Sequence, residues 1–300
     1  MIVTDQAVPL LITADAPRRR MILARRLLRS PVGMVGACIV VCVLIVAGLA
    51  PVLAPADPTF QHLDARLQPP AWQPGGARAY ILGTDSLGRD VLSRVIYGSR
   101  ISVMIGVSAV SVATLIGVSV GLLAGYLGGT FDAAVGRVVD TFLSVPFIVL
   151  ALAVVGVLGP SLLNLIVVLG AVGWVSFSRV VRGDVLSVRT REYVAAAEAI
   201  GQRRRWIIVR HILPNVAPSI IVLATLDVAT VIIAESALSF LGLGVQPPTV
   251  TWGGMLADGR QYVATAWWLA VAPGLAITLT VLGVIFFGDW LRDVLDPRLR

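Results

Sequence analysis

The hydrophobic positions of this chain do not alternate with polar ones; they run in long blocks. A helix needs about 20 apolar residues to cross the hydrocarbon core of a bilayer. Six blocks approach that length, at about 32–54, 101–126, 141–158, 161–177, 215–240 and 267–287. The third and fourth are short and separated only by Gly159 and Pro160, which predicts a tight helical hairpin. The fifth carries Asp227 near its middle and Glu235 toward its end. The first block is longer than the about 7–15 apolar residues of a signal-peptide core, and five more follow, so it reads as an uncleaved span. The pattern predicts an all-α membrane protein with six transmembrane helices. Residues 1–31 form a tail, 32–290 the membrane domain and 291–300 a second tail.

Two polar stretches resist a helical reading. Pro55 to Arg100 holds Pro69, Pro70, Pro74, Gly75 and Gly76 and cannot be one regular element. Leu241 to Ala266 holds Gly242, Gly244, Pro247, Pro248, Gly253 and Gly254, while Trp252 and Trp267 suit a membrane interface.

Composition narrows the function. The chain is 57% hydrophobic and 14% charged over 300 residues, against about 25% charged in ordinary soluble domains. So few charges cannot coat a globule of this size. All 24 basic residues are arginine. Without lysine there is neither a P-loop lysine for nucleotide phosphates nor a Schiff-base lysine. His62 and His211 fall on opposite sides of the membrane, so no metal site is expected. Cys38 and Cys42 read as small apolar residues.

The net charge of +7 acquires meaning once the arginines are sorted by loop. Arg18, Arg19, Arg20, Arg25, Arg26 and Arg29 precede the first span; Arg137 lies between the second and third. Arg179, Arg182, Arg189, Arg191, Arg203, Arg204, Arg205 and Arg210 lie between the fourth and fifth. Arg292, Arg298 and Arg300 follow the sixth, making 18 on one side. Arg66, Arg78, Arg89, Arg94, Arg100 and Arg260 make 6 on the other. Positive charge stays inside, which places both termini and the loop 179–214 in the cytoplasm. Orientation and contact with lipid explain the basic pI, and no nucleic-acid partner is called for.

Three groups of residues carry candidate chemistry. In the loop 179–214, alanines around Tyr193 favour helix. Val194, Ala197 and Gly201 recur at helical spacing and give a small-residue face that another surface can approach closely. Gly201 is placed to end that helix in the left-handed region. Arg203, Arg204, Arg205 and an amphipathic stretch through Trp206 follow, and Pro214 sits where the fifth span starts. The segment can lie on anionic lipid or dock a cytoplasmic partner. Second, Asp227 and Glu235 are expensive inside a membrane. The preferred reading of Asp227 is a helix–helix hydrogen bond; its rival is contact with a translocating substrate. Glu235 is expected to pair with an arginine or to reach interfacial water. Third, Gly83, Thr84, Asp85, Gly88, Arg89 and Asp90, with Arg94, form a compact motif of turns and opposite charges. A structural clasp leading into the second span is preferred over a docking site.

The loop resembles the "EAA" loop of permease subunits from binding-protein-dependent ABC importers. Ala196, Ala197, Gly201, Leu213 and Pro214 fall on that pattern, and His211 takes the slot it has in the peptide-permease branch. Ala195 stands where the motif has its glutamate. Residues 82–94, 125–129, 238–244 and 288–297 are similar to hallmarks of the C-type subunit of dipeptide, oligopeptide and nickel permeases. The resemblance implies the type I ABC importer permease fold in a bacterial inner membrane. It implies a non-catalytic subunit that holds no cofactor, ATP and Mg being bound by two partner ABC ATPase subunits. A second permease chain, making a heterodimer, and an extracytoplasmic substrate-binding protein complete the assembly. Under it, Tyr193 to Arg205 belong to a helix that couples to the ATPase, Asp227 and Glu235 become substrate-pathway candidates, and the cargo is a di- or oligopeptide or a nickel complex. A self-contained secondary transporter would require inverted repeats, which the chain does not display. An intramembrane enzyme would need its acids at one depth, whereas Asp227 and Glu235 stand about 12 Å apart along a helix.

Overall fold

The computed structural model describes residues 26–295. Helix α1 covers Pro31–Gly48; the Ser30 hydroxyl caps it by accepting the Gly33 amide, and proline opens it. A further turn, Ala50–Leu53, follows. Then come α2 (Val91–Leu127), α3 (Gly129–Leu143), α4 (Phe147–Leu158), α5 (Leu162–Val188) and α6 (Glu192–Ala199). One α-turn, Arg204–Ile207, and a π-turn, Ile208–Ile212, lead without interruption into α7 (Leu213–Phe240). Helices α8 (Trp252–Gly259) and α9 (Trp268–Leu295) complete the fold. The described residues contain no strand beyond an isolated bridge between Thr84 and Asp90.

Among the described residues, five helical segments are long and apolar enough to cross a membrane, and the pair α3–α4, bent by 85°, would make a sixth. The bend divides the block expected at 141–158. Pro146 stands at the break, where its missing N–H and its clash with a helical residue before it disfavour a continuous helix. Helix α1 ends at Gly48, short of the 54 expected, and Ala50–Leu53 is a separate turn; several other helices run past their apolar blocks. Helix α2 starts at Val91 instead of near 101, because the Asp90 carboxylate caps it through the Ser93 amide at 2.8 Å. Helix α5 continues to Val188, well past 177. The path into α7 is helical from Arg204, not from about 215. Pro214 has no N–H for the carbonyl four residues back, and the wider π-turn just before it absorbs the misfit.

Helix α2 is the axis of the bundle. Its Gly117, Gly121 and Gly125 lie four apart and face α5 so closely that an added Cβ at Gly121 would stand 2.7 Å from the Ser178 carbonyl oxygen. At Gly125 it would meet the Arg182 carbonyl at 3.0 Å. Hydrocarbon tails give helices no hydrophobic reason to associate, so close backbone packing through small residues takes over. Ile105, Ala109, Ala113, Leu165, Leu169, Phe177 and Leu238 fill the core around that seam. Helix α1 joins at the rim, with Gly36 against the backbone of Phe287 on α9. At ~1.5 Å per residue, the 37 residues of α2 separate its two ends by ~55 Å. Each end organises a different cluster.

Candidate functional site

At the N-terminal end of α2, the charges of the motif close on one another. Asp85 accepts from the Arg89 Nε at 2.6 Å and lies 3.5 Å from Arg94. Its other oxygen accepts the backbone amides of Leu87 and Arg89 at 2.9 and 3.0 Å. Both arginines also reach Asp258 of α8, at 3.8 and 3.5 Å. Asp258 is the more open carboxylate; the protein packed about it raises its pKa, with Arg94 and Arg89 pulling the other way. Gly83 and Gly88 have φ of +78° and +73°. At Gly88 a Cβ would overlap the His62 carbonyl, so the turn tolerates no side chain.

Of the two tryptophans expected at the membrane interface, Trp252 seals this end instead, together with Trp268. Trp252 is buried and donates its indole N–H to the Val95 carbonyl at 2.9 Å. Trp268, also buried, donates to the Thr84 carbonyl at 3.1 Å. An indole N–H with a backbone carbonyl in reach has no need of interfacial water. Trp267 is the exposed one.

The two acids of α7 part company. Glu235 is 0% exposed. Among the described residues it pairs with no arginine, and it is closed off from the surface: one oxygen accepts the Ser239 hydroxyl at 2.7 Å, and the other has no hydrogen-bond partner there. Asp227 makes no helix–helix hydrogen bond and no ion pair within the described residues. It opens on a cavity of about 310 Å³ at the α3–α4 break, walled by Phe142, Pro146, Phe147, Val172 and Val175, with Ser176 and Thr230. Gly173 lies beside it; an added Cβ there would stand 3.9 Å from Oδ2, an ordinary contact.

At the C-terminal end of α2 lies α6. Its small face is turned inward: Val194 and Ala197 are buried against Leu122, Val181, Val185, Ile207 and Ile212. The surface they approach is the chain's own bundle, because two apolar side chains at that spacing gain more by covering the core than by facing solvent. The face left outward is one register earlier. Tyr193, Ala196 and Ile200 are exposed, Ile200 by 82%, and Gly201 follows at φ +76°. Arg203, Arg204, Arg205 and Trp206 are exposed beside them, while Leu213 is half-buried and Pro214 exposed. The Tyr126 hydroxyl donates to Glu198 at 3.0 Å, tying α6 to the end of α2.

Residues 20–70 match the N-terminal transmembrane domain of oligopeptide transport permease C. Residues 117–300, more than half of the chain, match the binding-protein-dependent transport system inner membrane component. The chain belongs to that family. The permease is 44% identical over 272 residues to the dipeptide transport system permease protein of Escherichia coli, covering 91% of each chain. It is 41% identical over 269 residues to the di/tripeptide transport system permease protein of Pseudomonas aeruginosa, covering 89% of each. A methionine ABC transporter solved in inward-facing conformations shares the fold, with a TM-score of 0.56 and 20% identity over 68% of this permease and 96% of that chain. The permease is thus a multi-pass, non-catalytic membrane component of a bacterial ABC importer, a kind of subunit that works with an ATPase and a substrate-binding protein.

Sequence reasoning missed several residues that organise these clusters in the permease. Asp258, far from the motif in sequence, completes the clasp. Arg182, counted toward orientation, forms a two-pronged ion pair with Asp132 of α3, with one contact at 2.7 Å. Arg189 donates to the Gly125 carbonyl at 2.9 Å, where a cation suits the end of α2. Of the missed features, only the spacing of Gly117, Gly121 and Gly125 was visible in sequence, as a small-xxx-small pattern.

Proposed function

We propose that the permease forms half of the membrane pathway of a peptide importer, paired with a second, different permease chain and driven by two ABC ATPase subunits. The supporting observation is near-full-length relatedness to proteins that carry dipeptides and di/tripeptides in their names. The 18-to-6 division of arginines favours six crossings, with α3–α4 counted as one, and both termini and α6 in the cytoplasm. In that orientation the stripe Tyr193, Ala196 and Ile200, with Trp206 and the arginines from Arg203 to Arg205, is the surface that enters the ATPase. The clasp end faces the substrate-binding protein. The test is uptake of a labelled dipeptide into proteoliposomes holding the full complex and the loaded binding protein. Uptake is expected to require ATP on the α6 side. Uptake driven by an ion gradient without ATP would overturn the proposal.

A further inference from the structure

We propose that Asp227 is a specificity-determining residue, receiving the positively charged amino end of a peptide as it passes the cavity at the α3–α4 break. This rests on the peptide-importer reading and assigns that pathway a chemical contact.

The physical case begins with cost. An ionisable group within a membrane span is retained only where something compensates it. Glu235, two turns further on, has the Ser239 hydroxyl. Asp227 has no donor among the described residues, yet it is only half-buried, and its carboxylate opens into free space. The arginines paired in this fold sit elsewhere: Arg89 and Arg94 at one end of α2, Arg182 at the other. A carboxylate left without a resident cation, in a cavity with two hydroxyls and several aromatic and aliphatic walls, is suited to a visiting one. The cavity, about 310 Å³, stands at the lower end of the roughly 300–1,000 Å³ range of small-molecule sites. Phe142 and Leu143 end α3, Phe147 begins α4, and Pro146 separates them. One side of the cavity is therefore built from two helical pieces with a break between them, facing Val172 and Ser176 of α5 and Asp227 of α7. An ammonium group carries three N–H donors; Asp227, Ser176 and Thr230 offer acceptors for them.

The experiment uses the whole complex in proteoliposomes, with Asp227→Asn, Asp227→Glu and a reporter, Ser176→Cys, made after Cys38 and Cys42 are replaced by serine. Asp227→Asn should lower ATP-driven dipeptide uptake by about tenfold or more, the scale of one lost charge-assisted hydrogen bond. ATP hydrolysis stimulated by the loaded binding protein should stay within about twofold, and Asp227→Glu should restore part of the uptake. The Ser176→Cys thiol should react faster with a cationic than with an anionic methanethiosulfonate. That preference should vanish in the Asp227→Asn background. Undiminished uptake by Asp227→Asn, or a thiol indifferent to reagent charge, would overturn the proposal. So would loss of uptake and ATP hydrolysis together, which marks a structural role. If the unmodified complex takes up no dipeptide, the peptide reading itself falls, and the reagent preference still decides whether the cavity attracts cations.

Discussion

The two ends of α2 use charge in opposite ways. At Val91 the ionic groups are folded inward: Asp85 meets two arginines and two backbone amides, and Asp258 meets the same arginines from across the chain. At Leu127 most of the positive charge is left on the surface, with Arg203, Arg204 and Arg205 all exposed beside an apolar stripe. Among the described residues, Arg182 and Arg189 are drawn back to hold helices together. The first arrangement gives a rigid end whose geometry depends on internal pairs. The second gives a scaffold that is complete without its arginine cluster and leaves that cluster for something outside the chain. The 18-to-6 division of arginines separates the two sides by number; it does not say which of them are paired.

The sharpest way to break the contrast is Asp85→Ala. Arg94 is buried, and removing Asp85 leaves it only the more open Asp258 at 3.5 Å and strips the amides of Leu87 and Arg89 of their acceptor. Breaking such a pair costs about 3–5 kcal/mol. Thermal unfolding of the purified permease in detergent should show the largest loss of any single change described here. A loss below about 1 kcal/mol, the scale of an exposed pair, would mean that the clasp is not what holds that end.

Arg182→Ala tests the same chemistry at the opposite end. Its side chain is 38% exposed against 7% for Arg94, so water compensates more of the loss. About 1 kcal/mol is expected despite the two-pronged geometry, since exposed ion pairs are worth little. A double-mutant cycle with Asp132→Ala isolates the pair itself. A cost equal to that of Asp85→Ala would erase the distinction between a closed end and an open one.

These differences also explain what was legible in the chain. Apolar blocks announce spans because lipid demands an unbroken hydrophobic surface; that demand says little about where a helix starts or stops outside the lipid. Asp90 and Pro146 decided those boundaries through capping and a missing N–H, and each acts on a single turn. Asp85, Arg89 and Arg94 were legible as a clasp because they are adjacent in sequence. Asp258 was not, since its contribution is created by the return of α8 to α2. Val194 and Ala197 were recognised as a small face but assigned the wrong neighbour. Periodicity identifies a stripe; it does not say whether the chain itself or a partner covers it. Asp227 and Glu235 looked alike as isolated acids, and the packing around each one separates them.

The smallest effect on stability, and the most telling one, belongs to Ile200→Glu. Ile200 is 82% exposed and lies just past the last turn of α6. Replacing a surface side chain that touches little should change unfolding by no more than about 0.5 kcal/mol. Its neighbour Val194 is fully buried in the apolar cluster beneath. The same change there should cost several-fold more, because an unpaired charge would enter that cluster. If the outward stripe is the ATPase-facing surface, Ile200→Glu places a desolvated carboxylate in the contact while leaving the permease folded. ATP-driven uptake should then collapse in a protein that melts normally, with hydrolysis persisting or the ATPase failing to co-purify. Full uptake by Ile200→Glu, with Val194→Glu destabilised as expected, would leave α6 as a structural cover for the core. The docking surface would then have to lie elsewhere on the loop.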